Sequence, residues 1–387
     1  MVDGPGASYG RPATLPTSND SLAAVPAPPD TFDEQLSWSP LWRRVATADD
    51  LQRPTRVYCF RAERRAAERW FRERTGRAPE SVQALDGVLQ RWATLAPPQP
   101  GEQALVFGER LRSKATQLAR LGDGRLLYAA DPGLAGTRTA PDYWAKHRGA
   151  LERLWHALAD LESRLTLASI VRQRTTGELG YLRVARFAEY CHPLVKAEPG
   201  ELVVDAGAFN GATSAAFARR VGRRGRVYAF EPSRRNRRLI RQRLLRPWNW
   251  TLSVEVVPAA LADVVGQGHF DARRGGSSAL RTAGAGLELE PTLITTLDAF
   301  SADRPRIDLI SLDVEGAEPA VLAGAARLIE QQRPKLQVSV YHSLTHLFEL
   351  PLMLLERYPD YTLYLGHHDV YSTETDAYLV PRERLRA

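Results

Sequence analysis

The chain has 387 residues, enough for two domains of roughly 100–200 residues each. Hydrophobic residues make up 44% of it and charged residues 25%, which excludes a fibrous or wholly disordered chain. The net charge of +7 is carried almost wholly by arginine, with lysine only at positions 114, 146, 196 and 335. Arginine excess alongside abundant Ala, Gly and Pro reads as codon bias before it reads as a nucleic-acid surface.

Residues 1–30 are rich in Pro, Gly, Ala, Ser and Asp and are expected to be a disordered tail, because they bury too little to offset their ordering entropy. From 31 to 140 strands alternate with helices. "TRVYCF" (55–60), "SVQALDG" (81–87), "QALVFG" (103–108) and "GRLLYAAD" (124–131) read as strands, with helices at 61–74 and 109–121. That rhythm predicts a small parallel sheet. Its first strand–helix junction, "CFRAERR", has no glycine, and Arg61 stands where a nucleotide turn needs bare backbone, so a structural role is expected. Residues 141–180 predict a helical linker, with one or two helices in 142–174.

The pattern after 181 predicts a second, larger α/β domain ending at 387. Strands are expected at 201–207, 225–232, 253–261, 306–316 and 334–342, then at 361–368 and 376–382, which should pair as a hairpin. Helices are expected at 212–221, 233–246, 318–331 and 346–357. Most strands are continuous apolar runs, as in a sheet covered on both faces. The fold expected is a largely parallel Rossmann-like sheet whose last strand runs antiparallel. In "RRNRRLIRQRLLR" (234–246), Leu239, Leu244 and Leu245 are available for an inward stripe, and the arginines form a solvated face.

Ligands of open α/β sheets bind beyond the carboxyl ends of the strands. The first large-domain strand ends in Asp205-Ala206-Gly207-Ala208-Phe209-Asn210-Gly211, a glycine turn that lets backbone approach a ligand. The second ends in Phe230-Glu231-Pro232, with an acid where a ribose diol is commonly held. The spacing is D-x-G-x-x-x-G rather than the G-x-G-x-x-G of a dinucleotide site. A carboxylate at Asp205 repels a pyrophosphate and suits the ammonium of S-adenosyl-L-methionine, which has no phosphate.

The stretches "VVDAGAFNG", "VYAFEPS", "VVPAALAD", "GGSSAL", "TTLDAF" and "DLISLDVEGAEPAVLAGA" resemble, in order, the FkbM-type family of class I S-adenosylmethionine-dependent methyltransferases. The resemblance covers about 165–387. Residues 31–140 resemble, more faintly, the degenerate nucleotide-fold domain some relatives carry. The resemblance implies a seven-stranded sheet with a reversed last strand. It implies methyl transfer to a hydroxyl of a sugar, small metabolite or other natural product. It places Asp205, Gly207, Ala208 and Gly211 at the methionine moiety, Glu231 and Pro232 at the ribose, Ala260, Leu261 and Asp263 around the adenine, and Asp313 beside the transferred methyl. Ser311 and Leu312 depart from residues common in relatives.

Methylating a neutral hydroxyl is helped by a general base. Asp313, Glu315 and His342 are the catalytic candidates at the strand ends, and Glu318, in a first helical turn, equally suits the helix dipole. Spacing alone gives no metal site from Asp313, Glu315 and His342, and no metal is expected. "RRGGSSAL" (273–280) reads as a lid or a plain loop. The partner expected is a small-molecule or glycan hydroxyl acceptor, with self-association left open. No membrane partner is expected, since no apolar run nears the roughly 20 residues of a span, and the N-terminal stretch lacks secretory features. Cys59 and Cys191 give no disulfide framework, so a cytoplasmic location is expected. The alternatives are an NAD(P)-dependent oxidoreductase and an RNA-binding or RNA-modifying protein.

Overall fold

A computed structural model describes residues 30–38, 43–45, 52–60, 64–85, 103–106, 126–128, 139–271, 280–281, 289–304 and 306–385. The tail before Asp30, Arg61, the helix expected at 109–121 and the loop 273–279 lie outside the described residues.

After helix α1 (Phe32–Trp38), the first domain holds β1 (Arg43–Val45), β2 (Thr55–Phe60), helix α2 (Arg64–Thr75), β3 (Ser81–Leu85), β4 (Gln103–Val106) and β5 (Leu126–Tyr128). The strands form one sheet in the order β1-β5-β4-β2-β3, parallel throughout. Four of the five are legible as apolar runs; β1, only three residues long, carries no such signal. α2 lays Ala67 and Phe71 against Val57, Cys59 and Leu105, a small separate core.

Three helices follow: α3 (Pro141–Lys146), α4 (Arg148–Ala157) and α5 (Leu161–Thr176). Asp160 caps α5 by accepting from the Ser163 amide at 2.8 Å, and Gly177, at φ 81°, ends it in the left-handed region. These helices share one hydrophobic core with the large sheet, through Leu151, Leu154, Trp155, Leu167 and Ile170. Leu365 also donates its amide to the Ser163 hydroxyl at 2.9 Å, which ties α5 to a strand of that sheet.

The large domain runs β6 (Leu202–Ala206), α6 (Ala212–Val221), β7 (Arg226–Phe230), α7 (Arg234–Leu244), β8 (Val254–Val257), β9 (Ala259–Leu261), β10 (Gly266–Asp271), β11 (Leu280–Arg281), β12 (Leu289–Thr295), α8 (Leu297–Ser301), β13 (Leu309–Leu312), α9 (Glu318–Ala323), α10 (Ala326–Gln332), β14 (Lys335–Ser339), α11 (His346–Arg357), β15 (Tyr361–His367) and β16 (Thr375–Pro381). Seven strands form a sheet in the order β15-β16-β14-β13-β6-β7-β8. β16 is antiparallel to both of its neighbours, and the β14-β13-β6-β7-β8 pairs are parallel. The expected hairpin and reversed last strand are present.

Successive residues face opposite sides. Val203, Val227 and Leu309 pack under α6 through Phe217 and Val221, while Val204, Ala206, Ile310 and Leu312 enter the main core. Both faces are covered, which is why these strands read as unbroken apolar runs.

Three expectations differ from the structure. The strand expected at 253–261 is cut by Pro258, which has no amide to continue a ladder. Ala259–Leu261 instead pairs with β12 in a second, four-stranded sheet, β11-β10-β12-β9. The helix expected at 318–331 is two, α9 and α10, with Gly324 and Ala325 between them. On α7 the inward residues are Asn236 and Ile240, whereas Leu239 and Leu245 are exposed and Leu244 is only partly packed.

Gln337, fully buried on β14, donates from Nε2 to the carbonyls of Tyr190 at 3.0 Å and Val195 at 2.6 Å. It fixes the loop before β6 onto the sheet. Gln337→Met fills nearly the same volume and leaves two carbonyls without their donor. The variant should lose about 2–6 kcal/mol of unfolding free energy, at about 1–3 kcal/mol per stranded group. An unchanged urea midpoint would show that the loop is held by other means.

Candidate active site

The central strands β6 and β13 pair in register, with Ala206 opposite Leu312. The ladder continues one step beyond them, where Asp313 donates its amide to the Ala206 carbonyl at 3.0 Å. Gly207 follows at φ 90°, and a Cβ on it would stand 1.8 Å from the Asp313 carbonyl oxygen. Only glycine permits this approach. The turn beyond it is held from inside: Gly207 and Ala208 both donate to the Phe230 carbonyl, at 3.2 and 3.1 Å, and Gly211 donates to Ala208 at 2.7 Å. Ala212 donates to Asn210 Oδ1 at 3.0 Å. Arg243, from α7, grips the Asn210 carbonyl at 2.9 Å and its side-chain oxygen at 3.2 Å. These four amides are spent within the loop.

Asp205 is buried beneath this turn, where its carboxylate accepts the Ser214 hydroxyl at the start of α6. Burial pushes it up to about 6, against the pull of that hydroxyl.

A cavity of ≈ 280 Å³ opens at the carboxyl ends of β6, β7 and β13. One part is apolar, walled by Phe230, Ala259, Ala260, Leu261, Phe270 and Pro232, with Gly207 and Phe209 on the loop side. Glu231 borders this part. Its Oε1 accepts the Ser233 amide at 2.8 Å, and burial pushes it up to about 7, countered by that bond, by Asn236 and by the Phe209 amide. Arg237 donates to the Glu231 carbonyl at 3.0 Å and to the Pro232 carbonyl, and its charge also favours the ionised Glu231 carboxylate.

The other part is acidic. Asp313, Glu315 and Glu374 line it with Tyr341, Val314 and Ala317. Asp313 Oδ2 accepts Tyr190 Oη at 3.0 Å, and Tyr341 Oη stands at 3.4 Å from Oδ1. Burial pushes Asp313 up to about 7; His342 pulls it down, while Glu374 and Glu315 repel its charge. Glu315 sits in the left-handed region at φ 57°, ahead of Gly316 at φ 101°. His342 Nε2 lies 3.4 Å from Asp313 Oδ1 and 3.3 Å from Glu315 Oε2, and its Nδ1 lies 2.9 Å from Glu318 Oε1. Burial would lower the imidazole, yet the carboxylates of Glu315, Glu318 and Asp313 lift it to about 10. Glu318 is fully buried and accepts the amides of Val314 at 3.0 Å and Gly316 at 3.3 Å. Burial would raise it, but His342 and His346 hold it at about 2. Among the described residues, no lysine, arginine or histidine lines the cavity.

Of the residues singled out in the sequence, Gly207, Glu231, Pro232, Ala260, Leu261, Asp313 and Glu315 line this one cavity. Asp205, Ala208, Gly211, Asp263 and His342 do not. Asp205 and Ala208 are buried behind the loop, Asp263 is exposed, and His342 lies behind Asp313 and Glu315. Sequence reading passed over Tyr190, Arg237, Arg243 and Glu374. Tyr190 lies 123 positions from its partner Asp313, and the two arginines are hidden in a helix of arginines.

Residues 205–369 match the family model described as the methyltransferase FkbM domain. The fold is similar to the crystal structure of methyltransferase FkbM from Methylobacillus flagellatus, at 19% identity and a TM-score of 0.53, covering 90% of this chain and 98% of that one. At that identity the likeness speaks for the fold. An rRNA methylase from Streptococcus thermophilus matches at 15% identity and a TM-score of 0.32, over 49% of this chain and 91% of its own. A comparison with curated protein sequences gives no significant match. Among the described residues, no helix is long and apolar enough to cross a membrane.

Gly207→Ala tests the close approach on which the cavity is built. The left-handed backbone costs an alanine about 1–2 kcal/mol, and relieving the clash with Asp313 about 1–3 more. Unfolding free energy should fall by about 2–5 kcal/mol in urea titrations. A loss within 0.5 kcal/mol, on the order of an ordinary surface change, would mean that the two strand ends are not in contact.

Proposed function

We propose that the protein is an S-adenosyl-L-methionine-dependent methyltransferase acting on a hydroxyl oxygen of a small metabolite, sugar or glycan. The observation that carries this reading is Glu231, a carboxylate at the end of β7 on the border of an apolar slot, in a cavity whose described lining holds no cation. The slot fits an adenine, and the carboxylate fits a ribose diol. The amides of Gly207, Ala208, Gly211 and Ala212 are already occupied, so the turn offers none of them to a pyrophosphate. That supports a phosphate-free adenosine over NAD(P). The FkbM domain match supports methyl transfer.

When bound, the cofactor supplies a methyl on a positive sulfur and leaves as a neutral thioether. The chain's residues do the rest. Gly207, Ala208 and Gly211, braced by Asp205 from below, shape the loop against the methionine end. Glu231 and Pro232 hold the ribose; Ala260 and Leu261 flank the adenine, with Asp263 just outside. Asp313 lies between the loop and the acidic part, beside the reacting carbon. The cofactor, bound there, would supply its methyl to the acceptor oxygen, whose proton would pass to the cluster of Asp313 and Glu315. His342 positions that pair. Alignment of this kind supplies about 7–11 kcal/mol, and a well-placed base about 10²–10⁴-fold in rate.

Calorimetry with S-adenosylmethionine tests the cofactor assignment. Glu231→Ala should weaken binding by roughly 10–100-fold, the value of one or two charged hydrogen bonds. Because burial pushes Glu231 up to about 7, its carboxyl group is mostly protonated at pH 6 and mostly ionised at pH 8. The native protein should therefore bind about tenfold tighter at pH 8 than at pH 6, and Glu231→Gln should flatten that profile. Equal binding by native protein and both variants would remove Glu231 from the site.

A screen of hydroxylated metabolites and oligosaccharides, read by mass spectrometry for a gain of about 14 daltons, tests the reaction. On the acceptor so found, Asp313→Asn should lower kcat by about 10²–10⁴-fold and leave cofactor affinity within a few-fold. Methyl gain confined to amine acceptors would overturn the oxygen assignment.

A further inference from the structure

We infer that Asp313, Glu315 and His342 form a site for one divalent cation, open to the acidic part of the cavity. This rests on the reading of that part as the acceptor end and adds what holds the acceptor there.

One ligand atom from each of the three lies within 4.8 Å of the others. Two atoms bound to the same ion at about 2.1 Å stand roughly 3.0 Å apart at a right angle and about 3.4 Å apart at the tetrahedral angle. The observed separations from His342 Nε2, 3.3 Å to Glu315 and 3.4 Å to Asp313, fall in that interval. The two histidine separations therefore already suit a shared ion, and the carboxylate pair lies within 4.8 Å.

His342 is prepared for the part. Its side chain is only 8% exposed, and neither ring nitrogen makes an aligned hydrogen bond. Nδ1 faces Glu318, whose carboxylate is anchored by two backbone amides. A carboxylate behind one ring nitrogen sets the tautomer and turns the lone pair of the other outward, the usual support of a metal-bound histidine. Here Nε2 faces the gap between Asp313 and Glu315, where an ion would displace its proton. Those two line the cavity, so the remaining coordination positions open towards it, as in catalytic rather than structural sites.

One imidazole nitrogen and two carboxylate oxygens suit Mn²⁺ or Zn²⁺ better than a soft metal. A cation there would hold the acceptor oxygen and make its hydroxyl more acidic, easing loss of the proton to water or to a cavity carboxylate before the methyl is taken.

Calorimetry of the full chain, stripped with chelator and titrated with MnCl₂ and separately with ZnCl₂ in the absence of cofactor, tests the site. One equivalent should bind. Glu315→Gln, at a partly exposed position, and His342→Ala should each weaken binding at least about tenfold. Circular dichroism checks that both fold. No uptake of either ion, or uptake undiminished in both variants, overturns the site. Cofactor titrations on the same samples separate the two claims. Cofactor binding without metal binding sinks this inference alone, and metal binding without cofactor binding sinks the methyltransferase reading while keeping the site.

Discussion

The contact between Gly207 and the Asp313 carbonyl is the constraint from which the cavity follows. Two neighbouring strands end at the same level, and their loops must diverge within one residue. A side chain on the first loop would stand 1.8 Å from the backbone of the second. With glycine there, the β6 loop folds towards β7 and donates twice to Phe230. Asp313 is left facing the space this opens, with Tyr190 and Tyr341 on its carboxylate. The cleft, the apolar slot and the acidic part all border this one crossing.

The two ends of the cavity are built by different means. The slot is made by sheet ends and by the short strand β9, which Pro258 detaches from the large sheet and delivers to the small one. Its shape is set by apolar packing. The acidic part is made by turns, and its geometry comes from hydrogen bonds. Glu318 is the fixed point. It accepts two amides of the turn that carries Glu315 and also faces His342, so strand β13, the start of α9 and the residues after β14 meet on one carboxylate. Burying such a group costs several kcal/mol unless it is fully paired, and here it is held ionised by two amides and two histidines.

The parts of this arrangement that were legible in the sequence are the local ones. Unbroken apolar strands, the glycine turn at 207 and the acid after β7 announce themselves within a few residues. The small sheet was not legible. Gly266, Gly268 and Pro291 break the alternation by which β10 and β12 would declare themselves, and Pro258 falls inside what reads as one strand. The long-range groups were also hidden. Nothing near Tyr190 shows that it reaches Asp313, and nothing in a helix of arginines shows that Arg237 and Arg243 alone turn back to the loop. His342 and Glu318 are visible as residue types, but the 2.9 Å between them depends on strand order, which periodicity does not reveal.

The distribution of charge narrows the ligands further. The chain carries +7, yet among the described residues the cavity is lined by four acids and no base. Arg237 and Arg243, beside the loop, both donate to backbone carbonyls. Among the described residues, a phosphate or carboxylate entering this space meets the carboxyl groups of Glu231, Asp313, Glu315 and Glu374 and no lining cation. Desolvating an anion without a counter-charge costs several kcal/mol, more than a few neutral hydrogen bonds return. A neutral sugar meets no such penalty, and a positive sulfur is drawn in. The same described carboxyl groups that suit the proposed donor would therefore disfavour acidic acceptors.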